Sequence, residues 1–78
     1  MTTAAQINSK FLASTTPEMK RTILTNIANH YGISIYEAHE ELVCEEAESI
    51  MDYITGANRS AISLIFKKFC FQNRISIN

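Results

Sequence analysis

No tryptophan, one proline, two glycines and two cysteines occur in this 78-residue chain, and each scarcity excludes something. So little Gly and Pro rules out collagen-like and low-complexity classes, and it leaves few places for a long loop. Cys44 and Cys70 stand 26 residues apart with no CxxC or Cys–His repeat around them. Neither a zinc site nor a disulfide framework is indicated, and two reduced thiols are expected. No apolar run approaches the roughly 18 residues of a membrane span. Met1 is not followed by the basic stretch and apolar core that direct secretion. The expectation is a cytoplasmic protein without membrane contact.

What is present is 46% hydrophobic and 19% charged, with a formal net charge of −1. That suits one small domain and not two. A chain this short buries only roughly 60–65% of its unfolded surface, so its core is marginal and a second subunit would help it.

Apolar residues recur at helical spacing nearly throughout, and no run alternates long enough for a strand. Thr3-x-x-Gln6 can form a capping box, opening a helix with Ala4, Ile7, Phe11 and Leu12 on its inner face. Thr16-Pro17 is a second start signal, a hydroxyl cap followed by a proline whose missing N–H costs nothing there. The stripe Met19, Ile23, Leu24, Ile27, Ala28 and Tyr31 follows, and Gly32 supplies a left-handed stop. Ser34-x-x-Glu37 is another capping box, with Ile35, Ala38 and Leu42 facing inward. Near Cys44 the stripe rotates, which predicts a break. It then continues through Ala47, Ile50, Met51 and Ile54 to Gly56, so that 35–55 is either one long bent helix or, as the break favours, two short ones. Asn58 caps the last helix, which turns Ala61, Ile62, Ile65, Phe66 and Phe69 inward and Lys67 and Lys68 outward.

The expected architecture is therefore all-α, a compact bundle of four to five short helices with a helix-turn-helix-like corner at 17–43. It forms a single domain over 1–71, followed by a frayed tail over 72–78.

Ala28, Gly32, Ile33 and Ser34 supply, in order, a small residue, a turn glycine, an apolar residue and a helix cap. This arrangement resembles the helix-turn-helix core, covering about 20 residues of the chain. The resemblance implies that the helix from Ile35 to Val43 would enter the major groove. That helix carries Glu37, Glu40 and Glu41 and no Lys or Arg. Each carboxylate held ~6 Å from a phosphate costs roughly 0.7 kcal/mol even at the dielectric of water. A DNA-reading role for this helix is disfavoured on charge alone.

The net charge of −1 hides a strong segregation. Residues 1–36 hold Lys10, Lys20 and Arg21 against Glu18. Residues 37–52 hold Glu37, Glu40, Glu41, Glu45, Glu46, Glu48 and Asp52 and no cation, whereas 53–78 hold Arg59, Lys67, Lys68 and Arg74 and no anion. If 35–55 were helical throughout, Glu37, Glu41, Glu45, Glu48 and Asp52 would form one ridge about 22 Å long. Like charges so spaced cost ~0.2–0.5 kcal/mol per pair, which pairing with Lys67 or Lys68 of an antiparallel last helix would partly offset.

These five acidic residues are the candidate docking face for a basic protein partner, as in a small phage- or plasmid-type accessory or inhibitor protein. The alternative is a helix-turn-helix-like regulator contacting nucleic acid through Lys20, Arg21, Arg59, Lys67, Lys68 and Arg74. Leu64 and Phe71 fall off the inner stripe of the last helix and are candidates for a homodimer patch.

Catalysis has no visible basis. His30 and His39 are the only histidines, and Glu37-Ala38-His39-Glu40-Glu41 is neither HExxH nor a paired ExxH. Neither a phosphate-cradling glycine loop nor a nucleophile elbow is present. No enzyme activity, cofactor, metal or small-molecule substrate is expected.

Overall fold

The structure, a computed structural model, describes residues 2–75. Within them the chain forms α1 (Ala4–Ser14), α2 (Pro17–Tyr31), α3 (Ile35–Val43), a single 3-10 turn (Ile50–Asp52) and α4 (Arg59–Gln72). This is a small all-α bundle.

The helix starts are built as their sequences require. The Thr3 hydroxyl accepts from the Gln6 N–H at 3.2 Å while the Gln6 side chain accepts from the Thr3 N–H at 3.0 Å. Ser34 and Glu37 repeat that reciprocal pair at α3, at 3.0 and 3.1 Å. Thr16 caps α2 through the Met19 N–H at 3.1 Å, with Pro17 opening the first turn. Each such cap is worth ~1 kcal/mol because it satisfies a backbone donor with no partner inside the helix. Gly32 stops α2 at φ 67°, where a Cβ would be strained, and the Ile33 N–H closes back on the Ala28 carbonyl at 3.0 Å.

The core is a single cluster in which Phe11 of α1 meets two rings of α4. Its centroid lies 5.1 Å from that of Phe66, edge-on at 90°, and 5.4 Å from that of Phe69. Leu12, Ile23, Leu24, Ile27, Ala28, Ala38, Leu42, Ile50, Ile54, Ile62 and Cys70 complete it.

Several expectations are corrected. Tyr31 and Ile35 do not join the buried stripe but are 49% and 38% exposed. Gly32 turns the chain between them, so both flank the outside of the α2–α3 corner. Ala61 and Ile65 are also exposed, and the inner face of α4 is Ile62, Phe66, Phe69 and Cys70. Asn58 precedes α4 with helical backbone angles and makes no side-chain cap.

The break near Cys44 is present, at φ −72° and ψ 162°, but no α-helix follows it. Residues 44–49 are irregular and only Ile50–Asp52 coil, as one 3-10 turn. The continuous ridge of five carboxylates therefore does not form. Of the expected tail, Gln72 ends α4 and Ile75 packs partly buried against the core. Its N–H reaches back to the Cys70 carbonyl at 2.8 Å, around Arg74 at φ 55°. Residues 76–78 lie outside the described residues.

What holds the irregular segment is Asn8, which is fully buried. Its amide nitrogen donates to the carbonyls of Leu42 at 2.9 Å and Glu48 at 2.8 Å, and its oxygen accepts from the Ile50 N–H at 2.9 Å. One α1 side chain thus closes the C-terminal end of α3 and the entry to the 3-10 turn. Asn26 of α2 does the same further on, donating to the Thr55 carbonyl at 2.7 Å and accepting from the Thr55 N–H at 3.2 Å. Among the described residues no buried side-chain N or O atom lacks a partner.

Removing the Asn8 amide leaves three backbone groups to find water or go unpaired, each at ~1–3 kcal/mol if they stay buried. Asn8→Ala is expected to lower stability by about 3 kcal/mol in urea denaturation. Asn8→Asp should cost at least as much, since it sets a carboxylate against two carbonyls. A loss below about 0.5 kcal/mol, the range of an ordinary surface change, would show that the clamp is not structural.

Candidate functional site

All seven acidic residues of 37–52 are exposed, and the fold distributes them over three settings. Glu37 is committed to the α3 cap through the Ser34 N–H. Glu40 and Glu41 ride the outer side of α3. Glu45, Glu46 and Glu48 lie on the irregular stretch after Cys44, where the Glu48 N–H donates to the Tyr53 hydroxyl at 3.1 Å. Asp52 departs from the rest. It lines a groove of about 430 Å³ together with Arg59 and Lys67, two cations of the same chain. The expected docking residues are therefore not equivalent: Glu37 caps a helix and Asp52 shares a groove with two cations, whereas Glu41, Glu45 and Glu48 stand on open surface.

The end of α3 explains why the helix stops among strong helix formers. Glu40, Glu41, Glu45 and Glu46 lie close together on either side of this end. Continuing the helix would stack these carboxylates. Leaving it lets the Asn8 amide take the Leu42 carbonyl, and the Cys44 thiol donates to the Glu41 carbonyl at 3.3 Å.

The cations are also unequal. The Arg59 guanidinium donates to the Met51 carbonyl at 3.2 Å, tying α4 to the 3-10 turn. Arg74 occupies the left-handed position after α4. Lys20 is half-buried, whereas Arg21, Lys67 and Lys68 are exposed. Arg21 lines a polar groove of about 630 Å³ along α2, with Thr22, Asn29 and His30 on the helix and Thr55 and Asn58 opposite. Sequence reasoning missed this groove because each of its α2 residues reads singly as solvent-facing.

Leu64 and Phe71, placed in advance off the inner stripe of α4, are 70% and 85% exposed. Tyr36 on α3, which carried no sequence expectation, is 73% exposed. One turn on, Glu40 hydrogen-bonds its phenol and adds a negative charge nearby, and with slight desolvation this raises the Tyr36 phenol above the ordinary tyrosine value. Burial alone pushes the Cys70 thiol up. No group of three or more His, Cys, Asp or Glu among the described residues is arranged to hold a metal ion. No helix among them is long and apolar enough to cross a membrane.

The Tyr36–Glu40 pair gives a reporter on the acidic face. Because the phenol is raised, the interaction is complete below pH ~10 and is lost as pH rises through the value Tyr36 has in the folded chain. In a base titration followed by tyrosinate absorbance, one of the three tyrosines should ionise late. Glu40→Gln should bring it back toward the ordinary value. An unchanged curve in that variant would mean that the pair does not form in solution.

No protein-family model matches this sequence, and neither a curated protein nor a solved structure matches it.

Proposed function

We propose that this chain is a non-enzymatic protein-interaction module whose acidic segment, 37–52, docks a basic partner. The observation that supports the reading most is the exposure of seven acidic residues on 16 consecutive positions without one Lys or Arg among them. The segment is also fixed in shape. Asn8 holds its middle and Asn26 the residues that follow it, so Glu41, Glu45 and Glu48 are presented on a backbone ordered before binding. Preorganisation of this kind lowers the entropy lost on association. Exposed carboxylates act mainly by steering a cationic partner and rejecting an anionic one, so such binding should weaken as salt rises.

A defined probe tests this. A fluorescent amphipathic peptide of Leu and Lys should bind the wild-type chain at low ionic strength, read by anisotropy. The triple variant Glu41→Lys, Glu45→Lys, Glu48→Lys should bind at least about tenfold more weakly with its helical spectrum unchanged. Equal binding by the two proteins would overturn the acidic-face reading.

The polar groove on α2 favours a second reading, contact with nucleic acid, because Arg21, Thr22, Asn29 and His30 line it without a carboxylate. Arginine and asparagine are suited to base edges, and threonine to phosphate. With the Arg59 guanidinium tied to the Met51 carbonyl, Lys20, Arg21, Lys67, Lys68 and Arg74 are the candidate cations left for phosphate. A gel-shift series against random duplex decides this: steeply salt-dependent retardation supports the second reading, and none at low salt removes it.

A further inference from the structure

Six large apolar residues are exposed among the described residues, and they fall into two groups of opposite charge. Tyr31, Ile35 and Tyr36, at 49%, 38% and 73% exposure, lie at the α2–α3 corner beside Glu37, Glu40 and Glu41. Leu64, Ile65 and Phe71, at 70%, 36% and 85%, lie on α4 beside Lys67 and Lys68.

Helical geometry sharpens both groups. At about 100° per residue, Leu64, Lys67, Lys68 and Phe71 share one arc of about 100°, with a lysine on each side of the apolar pair. That arc is opposite the buried Ile62, Phe66, Phe69 and Cys70. On α3 the same spacing places Tyr36, Glu37 and Glu40 together, opposite the buried Ala38 and Leu42. Leu64 and Phe71 are about 10 Å apart along α4, within the ~13 Å length of α3. Both faces carry strongly exposed apolar side chains, and the charges beside them are opposite.

We propose that the basic partner of the acidic face is a second copy of this chain, with the Leu64–Phe71 face of α4 seated on the Tyr36–Glu40 face of α3. This rests on the acidic-face reading and names its partner. Within one chain both faces point away from the core, so neither can satisfy the other without a neighbour. Burying Leu64 and Phe71 removes from water two of the three most exposed large apolar side chains among the described residues, and the lysines beside them then meet carboxylates. An α4-to-α4 pairing would bury the same apolar residues but bring four lysines together. Charge therefore selects α3 as the surface that covers α4.

The test is charge exchange between the two faces, read as solution mass by analytical ultracentrifugation at low salt. The contact is small, so association is expected at roughly 10–100 µM chain, in the range of weak transient interfaces. Wild type should exceed the monomer mass at the upper concentration and return to it in high salt. The variant Lys67→Glu with Lys68→Glu, and separately Glu40→Lys with Glu41→Lys, should each stay monomeric, weakened at least about tenfold. An equimolar mixture of the two should associate again, because each then meets an opposite face.

A second route leaves charge untouched: Leu64→Asn with Phe71→Asn should also be monomeric. A monomeric wild type overturns the proposal. So does an oligomer unmoved by Glu40→Lys with Glu41→Lys, which would put α4 against α4. If the wild type is monomeric and still binds the Leu/Lys peptide through Glu41, Glu45 and Glu48, the acidic-face reading stands and only the identity of its partner fails.

Discussion

The fold depends on one amide. Asn8 sits fully buried on α1 and reaches across to three backbone groups on the far side of the core, at Leu42, Glu48 and Ile50. Between α3 and α4 lie 15 residues, 44–58, of which only three coil, so this stretch has few internal hydrogen bonds to stabilise it. Its backbone would otherwise bring unpaired polar groups against the core, at a cost of several kcal/mol. Asn8 and then Asn26 replace the missing ladder with side-chain amides, which offer the same donor and acceptor pair as a peptide group. Ile50 and Ile54 can then be buried on an irregular backbone.

Electrostatics and packing agree on where that irregular backbone begins. A continuous helix through Glu45, Glu46 and Glu48 would satisfy local propensity but would align like charges along a turn-spaced row. The chain leaves the helix at Cys44 instead. The extended backbone there spreads the carboxylates, and the Leu42 carbonyl finds Asn8. Tertiary hydrogen bonding and charge repulsion together override a helix propensity of a few tenths of a kcal/mol per residue.

Local signals were legible in the sequence, and long-range ones were not. The Thr3, Thr16 and Ser34 caps and the Gly32 stop all depend on residues within four positions of each other, and all appear where expected. Ile35 and Ile65 were misplaced because each lies at the margin of an apolar arc, where spacing alone cannot say how far a neighbour reaches, whereas Tyr31 lies mid-arc but is the last residue of α2, where Gly32 turns the chain. Asn8 was overlooked because its partners are 34 to 42 residues away. A signal did exist: Asn8 falls between Ala4 and Leu12 on a turn-spaced row, a lone polar residue on an otherwise apolar face. For the acidic face, composition indicated seven exposed carboxylates but not their division. That Glu37 caps a helix could be read from Ser34-x-x-Glu37, whereas the company of Asp52, Arg59 and Lys67 arises only from the fold.

Small size links these features. A domain with one aromatic core around Phe11 has little apolar surface to spend outside that core, yet it leaves Tyr36, Leu64 and Phe71 largely open. Leaving them exposed forfeits about 25 cal/mol for each Å² of apolar surface that burial would remove from water, a loss a marginal chain can ill afford unless something covers them. Uncovered, such residues would also invite non-specific association. The charges set beside them limit this: glutamates next to Tyr36 and lysines next to Leu64 and Phe71 repel a surface of their own sign and admit the opposite one. Charge segregation therefore selects which surface can bury these side chains, and this holds whether the surface offered is a foreign protein or the same chain again.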